Sequence, residues 1–192
     1  FYFYYYLFQS GLLLKFLEKK ATEDAEAYRT FYQGFSRFIK EGIVSSHEHR
    51  ETLAGLLRFE STMTDGETLS SLDDYITRMK DGQSEIYYLA GTSRAVMESG
   101  PYLEAFKARG LEVAFFTEGV DEFVFESLST YGEKKLVRAD QADIELEETA
   151  LEGEALASAD VEALQSWWQE ALADQLKEVK TGKRLVGSPV VA

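Results

Sequence analysis

The sequence contains no cysteine. Disulfides and thiolate metal sites are thereby excluded, and the chain fits a reducing compartment. Basic residues are scarce: 20 Lys and Arg stand against 34 Asp and Glu, for a formal net charge of −14 and a pI near 4.6. A nucleic-acid groove needs clustered Lys and Arg, and charge-driven adhesion to anionic lipid needs the same, so neither partner is expected. No apolar run reaches the length of a membrane span. His47 and His49, the two histidines, are two positions apart and point to different faces of a helix. A metal pair needs a spacing of three or four, so both read as solvated. No Gly-x-Gly-x-x-Gly, Gly-Lys-Ser/Thr, Gly-x-Ser-x-Gly, His-Glu-x-x-His or partnered carboxylate dyad occurs. No nucleophile stands beside a base, and the chain read alone is not an enzyme.

What is present is organised around Glu85 to Arg138, which reads as a β-α-β-α-β unit. Ile86-Tyr87-Tyr88-Leu89-Ala90 is the first strand and stops at Gly91. Pro101 opens a helix carrying Tyr102, Leu103 and Phe106, and Gly110 closes it, which is the usual placement of those two residue types. Leu111 to Phe116 is the second strand. Val120, Phe123, Val124 and Leu128 recur at helical spacing, Tyr131-Gly132 breaks that helix, and Lys135 to Arg138 is the third strand. Strands joined through helices of this length predict a short parallel sheet with right-handed crossovers, covered on both faces.

The preceding segment predicts helices. Phe1 to Phe8 holds seven aromatics in eight residues, read either as a buried strand or as an artificial end. The sequence starts without methionine and reads as a fragment. Leu12 to Lys20 is a short helix with Leu13, Phe16 and Leu17 on one side. Thr22 caps the next, whose stripe of Tyr28, Phe31, Tyr32, Phe35, Phe38 and Ile39 reads as core, and Gly42 ends it. Ser45 or Ser46 caps a helix carrying Leu53, Leu56 and Leu57. Leu57 to Ser61 is a short strand or an extended exit from the helix, and Ser71 caps a helix over Leu72 to Lys80.

After Arg138 the composition shifts. Ala139 to Asp160 holds eight acids and no Lys or Arg, over half of the net charge, and reads as a solvated linker. Asp160 caps a long helix with Val161, Leu164, Trp168, Leu172, Gln175, Leu176 and Val179 as its stripe, Trp167 beside it and Gly182 as its end. Arg184 to Val186 and Val190-Val191 suggest an interrupted strand. The expected divisions are an aromatic segment 1–10, a helical connector 11–82, an α/β/α subdomain 83–139, an acidic linker 140–159 and the start of a further domain 160–192.

Two stretches carry candidate chemistry. Gly91-Thr92-Ser93-Arg94 ends the first strand, where ligands of open α/β sheets sit. Backbone N–H groups and Arg94 there would suit an anion or a nucleotide phosphate; the alternative is that Ser93 simply caps a short helix through Met97. The second is the helix after the second strand. Asp121, Glu122 and Glu126 lie near its start, where acids suit the helix dipole. Phe123, Val124 and Phe125 are consecutive and cannot all face one core, so at least one aromatic reaches the surface beside acids. That combination suits transient contact with unfolded chain segments.

Several strings, in this order, give the chain a resemblance to the heat-shock protein 90 chaperone family in its bacterial or organellar branch. They are Phe38-Ile39-Lys40-Glu41-Gly42-Ile43, Leu56 to Ser61, Ser70 to Lys80, Ile86 to Arg94, Ser99 to Glu104, and Thr117 to Phe123. The resemblance spans about Lys15 to Ala192. It implies an α/β fold: the connector of the family's middle domain, its small α/β/α subdomain with a short parallel sheet, and the start of an α+β dimerisation domain. It implies a stress-response chaperone that binds unfolded or partly folded client proteins and assists folding as a homodimer. The bacterial cytoplasm, or alternatively an organelle matrix, would be its compartment. ATP and Mg belong to an amino-terminal domain of the family that this chain does not match, and no residue here is assigned an ATP contact. By position, the client surface is Glu122, Phe123 and Glu126, with Trp167 as a further apolar anchor. The branch often has Trp where this chain has Phe123, and an amide where it has Glu126.

Overall fold

A computed structural model describes residues 2–66, 68–141 and 156–181, with the backbone alone for residues 2–10. Most of the acidic linker and the interrupted strand after Gly182 lie outside the described residues. No described helix is long and apolar enough to cross a membrane.

The helices α1 (Tyr2–Glu23), α2 (Ala25–Ser45), α3 (Arg50–Gly55) and α4 (Leu72–Arg78) form the connector. The aromatic start is helical from Tyr2 onward and continuous with the helix predicted from Leu12, so the strand reading is overturned. The buried side of α1 is Leu14, with Leu17 and Ala21 packed against the core, and Leu13 and Phe16 point outward. Asp24, not Thr22, caps α2: its carboxylate accepts from the Ala27 N–H. Thr22 instead donates to the Glu18 carbonyl inside α1. Gly42 does not stop α2. A Cβ there would lie 2.9 Å from Leu53 Cδ1, so the glycine serves the close approach of α2 and α3. Of the aromatic stripe, Tyr28, Tyr32 and Ile39 are core, whereas Phe35 and Phe38 are exposed, Phe38 by 66%. Neither Ser45 nor Ser46 caps α3; Ser46 ends α2, and its hydroxyl accepts from the His49 N–H. His47 Nδ1 lies 3.2 Å from Arg50 Nη1. Ser71 caps α4 as expected, in a reciprocal capping box with Asp74.

Five strands make one sheet in the order β1-β3-β2-β5-β4: β1 (Glu60–Ser61), β2 (Glu85–Ala90), β3 (Val113–Phe116), β4 (Thr130–Tyr131) and β5 (Lys134–Arg138). The three expected strands β2, β3 and β5 are parallel, with β2 in the middle. Short antiparallel strands close both edges, β1 on β3 and β4 on β5. Tyr131-Gly132 therefore does more than break a helix; it is part of a hairpin into β5. Between β2 and β3 run α5 (Arg94–Ser99), a 3-10 turn at Pro101–Leu103 and α6 (Glu104–Arg109), the last ended by Gly110 in the left-handed conformation at φ 59°. Between β3 and β4 lies α7 (Asp121–Ser127).

Side chains of a strand alternate between faces, and the sheet sorts accordingly. Ile86, Ala114 and Phe116 join the connector core of Tyr28, Ile43, Leu57 and Tyr75. Tyr87, Leu89, Val113 and Phe115 pack with Met97 of α5, Leu103 of the 3-10 turn and Phe106 of α6. The result is three layers, helices on either side of the sheet. The last described helix, α8 (Ser158–Ala171), is shorter than predicted: its N-cap is Ala157 rather than Asp160, and the chain leaves the helix at Leu172. None of its residues is buried, so its predicted stripe finds no core among the described residues.

A buried polar network pins the connector to the sheet. Glu112, just before β3, accepts from Ser61 Oγ at 2.6 Å and from Arg78 Nε and Nη2 at 2.9 and 2.7 Å. The Tyr75 hydroxyl donates to the Glu112 carbonyl and accepts from the Tyr87 N–H. Arg78→Met would leave the Glu112 carboxylate buried without its cation. The expected loss is about 3 kcal/mol, read as a lower urea midpoint. Burial also pushes the Tyr28 hydroxyl, which donates to the Leu56 carbonyl, from 10 to about 12. A raised folded-state value favours the fold below the unfolded value and loses that contribution as pH rises through the folded one. Absorbance titration near 295 nm is expected to show tyrosines that stay protonated above about pH 10 and ionise together with alkaline unfolding.

Candidate functional site

The helix α7 sorts its side chains by simple helical geometry. Asp121, Val124, Phe125 and Leu128, at spacings of three and four, face inward and are buried. Glu122, Phe123 and Glu126 face outward, with Phe123 56% exposed. Phe123 is thus the aromatic that the consecutive apolar run forces to the surface. Beneath it, Phe125 stacks on Tyr88 with ring centroids 3.8 Å apart and meets Phe116 edge-on at 4.6 Å. These rings bury the inner face of the helix, so the outer face is held on a packed base.

Asp121 is not a surface acid serving the helix dipole. It is fully buried, and its Oδ1 lies 2.7 Å from Nζ of Lys40, itself only 4% exposed, on α2. Lys40 Nζ also donates to Glu118 Oε1 at 2.8 Å, and the Ser36 hydroxyl donates to the same oxygen at 3.3 Å. The second Asp121 oxygen accepts from the Glu118 N–H. Desolvation raises the Asp121 pKa against the lowering effect of Lys40. This ion cluster joins α7 to the connector. Sequence reasoning missed it: an acid at a core position of an amphipathic helix was the available signal, but its partner lies on a distant element.

The other candidates sit elsewhere. Trp167 is on α8, 58% exposed, with its ring edge-on to Trp168 at 5.0 Å. It shares no helix with Glu122, Phe123 and Glu126. In the loop after β2, Ser93 caps α5 by accepting from the Val96 N–H, and the Gly91 N–H donates to the Phe116 carbonyl. Arg94 turns its guanidinium inward, to Glu98 Oε1 at 2.8 Å, Glu60 Oε2 at 3.0 Å and the Thr64 carbonyl at 2.7 Å, over the Phe115 ring. A cleft of about 300 Å³ lies beside it, between α2 and the end of β3. Of the cations lining that cleft, Lys40 and Arg94 hold carboxylates, and Arg58 donates to the carbonyls of Gly55 and Leu57. Thr92 lies between these anchored residues. Among the described residues no group of three or more His, Asp or Glu is placed to hold a metal ion.

Fold and site together give a layered α/β body on which α7 exposes Phe123 together with the carboxylates of Glu122 and Glu126. The model of the Hsp90 protein family matches residues 9–192. Relatives include Chaperone protein HtpG of Desulfitobacterium hafniense (strain Y51), 39% identical over 181 residues, 93% of this chain and 30% of that protein. Chaperone protein HtpG of Gluconobacter oxydans (strain 621H) is 43% identical over 180 residues, 93% of this chain and 29% of that protein. The protein of the same description from Geobacter sulfurreducens (strain ATCC 51573 / DSM 12127 / PCA) is 41% identical over 181 residues, 92% of this chain and 28% of that protein. The chain belongs to the Hsp90 family and spans about three-tenths of the length of these relatives.

The Lys40 cluster makes its own prediction. Lys40→Met leaves Asp121 charged in the interior and is expected to cost about 3 kcal/mol at neutral pH. The unpaired carboxyl then favours its protonated form in the fold, so the deficit narrows as pH falls toward about 4. Urea melts of wild type and variant across that range check both the size and the sign.

Proposed function

We propose that this chain is the client-contacting part of a molecular chaperone of the Hsp90 type. In this reading the parent binds unfolded or partly folded proteins and assists their folding, as a homodimer driven by ATP, in the bacterial cytoplasm under stress. The single observation that carries the reading is the outer face of α7, where Phe123 stands exposed together with Glu122 and Glu126 on a base of buried rings. An aromatic held in the open on a rigid helix gives apolar contact at little ordering cost, and the adjacent acids keep the face hydrated when empty. Trp167 offers a second anchor of the same kind. Many weak contacts of this sort accept varied sequences, which suits a partner defined by being unfolded rather than by one motif.

In this reading Arg94 is a structural residue, engaged by Glu60 and Glu98.

The test is Phe123→Ala in the full chain, with a reduced and carboxymethylated protein as a permanently unfolded probe. Loss of a central aromatic anchor is expected to weaken binding about tenfold at unchanged melting temperature. Unchanged affinity would contradict the reading.

A further inference from the structure

Glu122 and Glu126 are separated by one helical turn, and Phe123, exposed like both of them, is the i,i+3 neighbour of Glu126. Both carboxylates are exposed, and neither has a hydrogen bond or ion pair among the described residues. Arg138, whose charge interacts with Glu122, is itself bonded to Asp140 at 2.8 Å. The contrast with other acids of the fold is clear. Glu41 is held by Arg37, Glu98 by Arg94, and Glu118 by Lys40. On α8 the same combination recurs independently. Trp167 is exposed, Glu170 follows three residues later on the same face, and the helix contains no Lys or Arg.

An aromatic ring attracts an ammonium or guanidinium over its face, and a carboxylate beside it adds an ion pair to the same cation. A purely apolar partner gains the ring contact but must partly desolvate two unpaired carboxylates. An acidic partner meets repulsion from those carboxylates and from the field of a chain with net charge −14. Resting on the client reading above, we propose that the α7 face, and Trp167 with Glu170 on α8, select unfolded segments in which Lys or Arg lies beside an aromatic or aliphatic residue. The ring supplies affinity. The carboxylates choose among segments and speed their encounter.

The probes are two unstructured peptides with the same aromatic and aliphatic residues, one carrying only Lys and Arg as its charges, the other only Asp and Glu. Binding of each to the full chain is measured at about 50 mM and about 500 mM salt, so that screening is varied across the contact distance. The basic peptide is expected to bind roughly tenfold more tightly at low salt, with the preference shrinking at high salt. The double variant Glu122→Gln/Glu126→Gln keeps the shape of the face and is expected to reduce the preference to about twofold, with Glu170→Gln reducing it further toward what the net charge of the chain alone gives. Equal affinity for both peptides, or a preference untouched by the glutamine variants, would overturn the charge selection. Phe123→Ala separates the two claims. Weakened binding of both peptides supports the patch, whereas no effect on either would remove the patch and the selection with it.

Discussion

Parallel pairing of β2 on both its edges is the constraint from which the rest of the fold follows. With β3 along Tyr87 to Ala90 on one side and β5 along Glu85 to Tyr88 on the other, β2 is the interior strand of the sheet, and both of its faces must then be covered. One face takes the connector helices and α7, the other α5 and α6. The crossover from β3 toward β5 carries α7 onto the connector side, where Phe125 fits between Tyr88 and Phe116. A helix buried so firmly on its inner face has no freedom to tuck Phe123 away. Its exposure is thus a consequence of the packing beneath it.

The Lys40 cluster adds a second consequence. A buried ion pair is a weak source of net stability, but it penalises any arrangement that separates its partners. Because Lys40 is on α2 while Glu118 and Asp121 lie at the start of α7, the outer face of α7 is referenced to the connector as well as to the sheet. The Glu112 network does the same at the other end of β3, tying β1 and α4 to the strand through Ser61, Arg78 and Tyr75. Connector and α/β layer therefore share one polar framework around β3, with aromatic contacts filling the space between.

Much of this was legible from the residues alone. The parallel strands were marked by short apolar runs bounded by Gly91, Gly110 and Gly132, and Ser71 announced the start of α4. The exposed ring on α7 followed from three consecutive apolar residues on a helix. What escaped was set by tertiary contact. Phe35 and Phe38 continue the helical period of Tyr28 and Tyr32 yet lie outside the core, because periodicity says which residues share a face and not how far along the helix the cover extends. Gly42 looked like a stop signal, whereas it makes room for Leu53. The edge strand β4 is two residues long, too short for any alternation to register. Asp121 was grouped with its acidic neighbours because its cation is distant in the sequence, and the same blindness hid the inward commitment of Arg94 to Glu60.

The central claim is that the outer face of α7 is where an unfolded chain is held. Hydrogen exchange followed by mass spectrometry, with and without a saturating unfolded protein, tests it most directly. The account predicts added protection over Asp121 to Leu128 while the already protected amides of β2 stay unchanged. Protection that appears elsewhere and leaves Asp121 to Leu128 unaltered would contradict it.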